Sequence, residues 1–235
     1  MKKDTYKRKF ALDYFSTKIK KCNLIDSTYF VLNKRSTGLT KIFYPNSFYL
    51  NEKNYRSDVL NYKIDRSKEY YTEGNWQSYR YFQEYEDILR KDLEFDFLII
   101  DELQLQTVNI ENIESVSVHF RRKDYTRLVD LDYYHNAISI IRNKIKNPIF
   151  FIFSDDPAWV KDNFVYDKND TSLVITNNEI SDFYLMSKCK YHIISNSTFA
   201  WWASWLGKSD NKIIIAPPPE NWPDKNVLYP ELIIN

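Results

Sequence analysis

Val116 to Tyr125, VSVHFRRKDY, is the stretch on which the reading of the whole chain turns. Apolar beats at Val116 and Val118 mark a short strand. The run from His119 through Phe120, Arg121, Arg122, Lys123 and Asp124 to Tyr125 then places three cationic side chains and a carboxylate where that strand ends. In an open α/β sheet, ligands bind beyond the carboxyl ends of the strands, so charge concentrated at such an exit marks a site. A second segment repeats the arrangement in different chemistry. Tyr191 to Ile194 is a short apolar-rich run that delivers Ser195, Asn196, Ser197 and Thr198 just before the aromatic stretch Phe199 to Gly207. A helix beginning there exposes backbone N–H groups and the positive end of its dipole, a common way of holding phosphate without a metal. Arginine adds a planar fork of donors that pairs two at a time with phosphate oxygens. A diphosphate site at the two exits is the expectation.

The elements around these stretches alternate. The pattern predicts strands at 115–119, 149–153, 172–175, 191–194 and 212–216, and helices at 133–146, 157–163, 180–188 and 198–206. Strand centres read as apolar, as in a parallel sheet covered on both faces, so the fold class is α/β. A third predicted exit carries Ser154, Asp155 and Asp156. Organisation changes near residue 105. Before it, Tyr29 to Leu32 and Lys41 to Tyr44 read as short strands, Tyr81 to Leu93 as a helix with Phe82, Tyr85, Ile88 and Leu89 on one face, and 94–105 as a weak second helix. The expected domains are residues 1–105 and 106–235.

Length and composition set looser bounds. With 235 residues and 43% apolar content the chain can build a proper core. Its formal net charge of +1 gives no global field that calls for nucleic acid. Two cysteines, Cys22 and Cys189, are too few for a disulfide scaffold and fit a reducing compartment. No apolar stretch approaches the roughly 20 residues of a membrane span, and the start is not a signal-peptide core. A soluble cytoplasmic protein is expected. Residues 1–22 nevertheless carry eight Lys/Arg, with Phe10, Ala11, Tyr14, Phe15 and Ile19 at helical period. That reads either as a solvated helix face or as peripheral contact with an anionic inner membrane surface.

Each candidate residue has a plain alternative. Asp155 suits the N1 and exocyclic amine of a guanine, a helix cap before Pro157, or, paired with Asp156, a metal. His119 either faces the site or is packed with its nitrogens satisfied, and no other histidine shares a ligand-like spacing with it, so no metal site is assigned. Trp201, Trp202 and Trp205 read mainly as core, while Trp222, in a proline-rich loop, either packs or lines a sugar site.

These residues carry a resemblance to the bacterial α-1,2-fucosyltransferase family, glycosyltransferase family 11. It rests on VSVHFRRKDY (116–125), FFIFSDDPAW (150–159) and DFYLMSKCKYHIISNSTFAWWASW (182–205), with support from LDYY (131–134), GNWQSYRYF (74–82) and IIIAP (213–217). The resemblance implies a GT-B-like fold with a C-terminal Rossmann-like nucleotide-binding domain and an acceptor-side N-terminal domain. It implies inverting transfer of L-fucose from GDP-β-L-fucose to the 2-hydroxyl of a terminal galactose in a glycan, with no metal and no cofactor beyond the donor substrate. By that likeness Arg121 holds the diphosphate and Arg122 supports the same site or the local structure. His119 and Asp155 lie on the guanine or ribose side, Ser197 and Thr198 face the β-phosphate through their backbone N–H groups, and Ser195 and Asn196 count with them among the donor-binding residues. Asp124 is the candidate general base, with an ion pair to an arginine as its alternative role. Members of the family usually open with a glycine-rich segment resembling GGLGNQMFQYA, and this chain has only Gly38, Gly74 and Gly207. The expected N-terminal domain is therefore shortened or incomplete. Transfer of another GDP-sugar, or to another acceptor, stands beside the main reading, as does a catalytically inactive nucleotide- or carbohydrate-binding remnant.

Overall fold

The structure, a computed structural model, describes residues 11–19, 47–51, 65, 67–74, 78–96, 109–123, 126–176, 178–222 and 233–234. The strands expected at Tyr29 to Leu32 and Lys41 to Tyr44 lie outside the described residues, as does Asp124. The chain forms two compact units, Lys18–Glu86, and Met1–Thr17 with Asp87–Asn235. Within the smaller unit β1 (Ser47–Asn51) pairs in parallel with β2 (Glu69–Glu73), from Ser47 opposite Glu69 to Asn51 opposite Glu73. The helix expected over 81–93 begins late. Tyr79–Tyr81 and Gln83–Tyr85 are 3-10 turns separated at Phe82, whose backbone is non-helical, and only α1 (Glu86–Asp92) is α-helical.

The larger unit is a six-stranded, fully parallel sheet. Its strands are β3 (Ser115–Phe120), β4 (Ile149–Ser154), β5 (Thr171–Leu173), β6 (Tyr191–Ile193), β7 (Ile214–Ala216) and β8 (Ile233–Ile234), in the spatial order β5-β4-β3-β6-β7-β8. Parallel neighbours need long crossovers. Helices α2 (Leu131–Lys144), α3 (Pro157–Asn163), α4 (Glu179–Lys188) and α5 (Thr198–Leu206) lie in the connections between successive strands. The order has a functional consequence. From β3 the chain steps outward through β4 and β5, then returns to the other side of β3 as β6 and continues outward through β7 and β8. The β3/β6 border is therefore the topological switch point, where the crossovers on either side diverge and leave a crevice.

Register and alternation place different chemistry on the two faces of β3. Val116, Val118 and Phe120 are fully buried against Tyr134, Ala137, Ile138 and Ile141 of α2, with Phe120 stacked on Tyr134 at a centroid distance of 3.8 Å. The opposite face is Ser115, Ser117 and His119, also buried. This corrects the apolar reading of the strand centres: Ser117 sits mid-strand and satisfies its hydroxyl on His192 Nδ1 at 2.8 Å, directly across the β3/β6 pairing. A buried hydroxyl is tolerated because its partner comes from the adjacent strand.

The helical reading of the N-terminal segment also gives way. Among the described residues Leu12–Tyr14 is a single 3-10 turn, and Phe15 is extended, forming an antiparallel bridge to Phe95. The two rings meet at 4.6 Å and pack on Phe183 of α4, so Phe15 serves a bridge and not a helix, while the weak helix expected over 94–105 lies outside the described residues from 97 onward. No helix among the described residues is long and apolar enough to cross a membrane.

Candidate active site

Three strand exits meet at the switch point. Phe120 of β3 is opposite Ser154 of β4, which sets Arg121 beside Asp155, and Val118 is opposite Ile193 of β6, which brings the 195–198 segment alongside. Adjacent strands lie about 4.8 Å apart, so residues just beyond these ends are within side-chain reach of one another. Direct contacts bear this out. His119 Nδ1 lies 2.8 Å from Ser195 Oγ across the β3/β6 border. On the other border Asp155 accepts from the backbone N–H of Arg122 at 2.8 Å through Oδ1 and of Lys123 at 3.2 Å through Oδ2, and pairs with Arg121 Nε at 3.3 Å. Both its oxygens thus hold the arginine segment in place. Asp156 is the helix cap: its Oδ1 accepts from the Trp159 N–H in the first turn of α3. Among the described residues no group of three or more His, Cys, Asp or Glu is placed to hold a metal ion.

The two arginines separate by parity. Arg122 follows Phe120 to the α2 side, where its guanidinium lies over Trp159 at 3.9 Å and within 6 Å of the Phe120 and Tyr134 rings, with Nε and Nη2 buried and unpartnered. Arg121 is in phase with His119, whose ring packs on Phe199 of α5, and its charge acts on that ring while its Nε pairs with Asp155. Helix α5 begins with Ser197 as its cap residue, extended in backbone and making no side-chain cap bond. The amides of Thr198, Phe199 and Ala200 precede the first intrahelical donor, Trp201 N–H to Ser197 O at 3.0 Å, so they are the helix's unused donors. A guanidinium and an uncapped helix start on one side of one crevice can together hold a dianionic group.

Neighbouring residues build this end of the sheet. Tyr133 Oη lies within 2.6 Å of the Ile194 carbonyl and 2.9 Å of the Ile215 carbonyl, joining the ends of β6 and β7, while Tyr134 donates to the His119 carbonyl at 3.2 Å. Asn196 donates both amide hydrogens, to Arg127 O at 2.7 Å and Asn221 O at 2.8 Å, and so ties two loops to the start of α5. Trp222 is buried with its indole N–H on Pro217 O, so it packs and does not line a sugar site. Sequence reasoning missed the stapling role of Asn196 and the Ser117–His192 pair, because both depend on which segments the fold makes neighbours. A cavity of about 480 Å³ is lined by Lys188 and Lys190, before β6, and by Leu206 at the end of α5. That puts it at the amino ends of the strands, away from the exits that define the site.

Both imidazoles of this sheet face are held neutral. Desolvation, reinforced by Arg121 for His119 and by Lys212 for His192, pushes each down to about 3. In the unfolded chain each titrates near 6.5. The unfolded state thus binds two protons below about pH 6.5 that the native state refuses until near pH 3, and stability falls as pH drops through that window. Asp182 opposes this with one proton, since burial raises its carboxyl to about 6. The net expectation is a loss of about 1 kcal/mol per pH unit below pH 6. Urea unfolding midpoints measured from pH 7.5 to 5 should fall, and a flat profile would contradict two buried neutral histidines.

The larger unit is an open parallel α/β sheet whose switch point carries a guanidinium at one strand exit and an uncapped helix start at the next. The family model for glycosyl transferase family 11 matches residues 47–231, and the chain belongs to that family. It is similar to an α-1,2-colitosyltransferase of Escherichia coli, 36% identical over 181 residues covering 71% of this chain and 62% of the relative. It is also similar to the O-antigen biosynthesis glycosyltransferase WbnK of Escherichia coli, 30% identical over 201 residues, 75% of this chain and 66% of that one. A mouse galactoside 2-α-L-fucosyltransferase, Sec1, is 27% identical over 128 residues, 49% of this chain and 35% of the relative. The chain spans less than two thirds of the length of each of these relatives. In fold it is similar to the crystal structure of NodZ alpha-1,6-fucosyltransferase soaked with GDP-fucose, with a TM-score of 0.50 and 15% identity over 70% of this chain and 60% of that one.

Proposed function

We propose that the chain is an inverting glycosyltransferase that moves L-fucose from GDP-β-L-fucose to the 2-hydroxyl of a terminal galactose in a glycan. The reading rests on a guanidinium at the β3 exit, Arg121, and the uncapped start of α5 at the exit of the paired strand β6, in a chain of family 11. As the C1–O bond to GDP breaks, negative charge grows on the β-phosphate. A fork of donors from Arg121 and the amides around Ser197 and Thr198 lowers the barrier to the extent that it binds the departing diphosphate more tightly than the intact donor. Asp124 is proposed as the base that takes the proton of the attacking hydroxyl on the opposite face of the sugar. His119 lies on the nucleoside side. In this reading the fold is GT-B-like, with residues 106–235 as a Rossmann-like donor half and residues 1–105 on the acceptor side. The reaction is metal-independent, because cationic and amide donors supply the charge that a divalent ion would otherwise bring.

A second donor is favoured by one specific observation, the 36% identical relative named for colitosyl transfer. The same linkage made with colitose is the alternative reading. Calorimetric titration with GDP and GDP-fucose, with and without EDTA, tests the first step, and transfer assays on galactose-terminated acceptors with GDP-fucose against GDP-colitose test the second. EDTA-insensitive binding followed by fucose transfer supports the proposal. Binding without transfer to any acceptor favours a binding remnant, and no binding by folded protein sinks both. The proposed setting is surface glycan assembly at the inner face of the membrane, with the basic residues 1–22 touching anionic lipid. Failure to cosediment with anionic vesicles at low salt would remove that contact from the picture.

A further inference from the structure

We infer that Ser195 is a positioning residue which fixes the tautomer of His119, so that Nε2 carries the ring proton and presents a neutral donor to an oxygen of the bound nucleotide. The inference rests on the donor-binding reading and concerns how the same site is tuned.

Ser195 is 1% exposed and His119 3% exposed, and Oγ lies 2.8 Å from Nδ1. A buried hydroxyl has one proton to place and strongly prefers an acceptor for it. Among the described residues the Ser195 hydroxyl has no hydrogen-bond partner besides this ring nitrogen. If Nδ1 held the proton, the ring would donate to Oγ and the hydroxyl proton would be stranded in the core. With the hydroxyl donating to Nδ1, both groups are satisfied and the ring proton moves to Nε2. Burial supports this by keeping the ring neutral, which makes tautomer, and not charge, the variable. Phe199, with its ring centre 5.6 Å from that of His119, helps fix the plane.

Its neighbouring pair shows what a purely structural version looks like. Ser117 and His192 make the same 2.8 Å contact nearer the start of the strands, but His192 is wholly buried. Its Nε2 has no partner and lies 2.9 Å from where a Cβ on Gly207 would sit. That ring is closed off from any ligand. His119 is in the last two residues of β3, at the exit that carries Arg121, and its Nε2 is not among the buried unpartnered atoms. One pair closes the core and the other faces the crevice.

The test reads the tautomer directly and the ligand separately. Long-range ¹H–¹⁵N correlation of the imidazoles in the ligand-free full chain should show His119 Nδ1 unprotonated and Nε2 protonated, and Ser195→Ala should abolish that fixed state. By calorimetry Ser195→Ala should weaken GDP about tenfold, the size of one well-placed hydrogen bond. His119→Ala should weaken it at least as much, and the double variant no further. His119→Gln, whose amide nitrogen donates near the Nε2 position, should retain more affinity than His119→Ala. It also keeps the test open if Ser195→Ala proves poorly folded. A protonated Nδ1 in wild type, or Ser195→Ala binding GDP within twofold of wild type while His119→Ala is weakened, overturns the inference. Wild type that shows the expected tautomer yet binds no GDP supports the hold of Ser195 on His119 and overturns the donor-binding reading instead.

Discussion

Arg121→Ala is expected to remove detectable GDP binding and to lower sugar transfer by about 10²- to 10³-fold, the usual cost of deleting one principal donor to a developing anion. The expectation follows from placement. Arg121 is in phase along β3 with His119, which touches Ser195 and Phe199 at the start of α5, while Asp155 pairs with its Nε. Arg121→Lys should recover only a small part of the loss, because a lysine keeps the charge but not the planar fork. Arg122→Ala should behave differently. That guanidinium is laid on Trp159 with two nitrogens buried, so its removal should reduce stability together with affinity, lowering the unfolding midpoint where Arg121→Ala does not. Calorimetry, initial transfer rates and urea unfolding on the three variants check this. If Arg122→Ala alone abolishes binding and leaves the fold intact, the parity assignment of the two arginines is wrong.

How far the site could be read from sequence depends on the range of the interaction. From residue 115 onward the elements follow from local pattern, because buried parallel strands are short apolar runs and the helices between them are amphipathic. The expected 198–206 helix is the observed Thr198–Leu206, and the expected cap before Pro157 is Asp156. The exits were readable for the same reason. Neither the sheet order nor the pairing of β3 with β6, 75 residues apart at Val118 and Ile193, is a local property, and so the switch point could not be seen. Ser117 looked like an interruption of an apolar strand because its partner, His192, is supplied only by that pairing. The helical period around Phe15 failed for a related reason: an extended bridge to a distant segment overrode it.

Asp155→Ala is expected to disable the site without removing any group that touches the diphosphate in the proposed mode. The carboxylate accepts from two consecutive backbone N–H groups and from Arg121, so its loss frees the whole arginine segment from β4. Leaving those donors without their acceptor costs about 1–3 kcal/mol of stability, with the half-buried Arg122 amide contributing more than that of the exposed Lys123. Affinity should fall further than stability, by about 30-fold or more, since a ligand would then have to order the segment that Asp155 now holds. Asp155→Asn should lie between, keeping one oxygen acceptor but losing the charge opposite Arg121. The choice of ligand separates this role from recognition of the base. If Asp155 acts by fixing Arg121, GDP and inorganic pyrophosphate should weaken by the same factor, because both depend on the same guanidinium. If its oxygens instead turn to the guanine when the donor binds, GDP should weaken while pyrophosphate is unchanged. Equal losses would make Asp155 the residue through which β4, whose side chains touch no phosphate in this scheme, sets the strength of the diphosphate site.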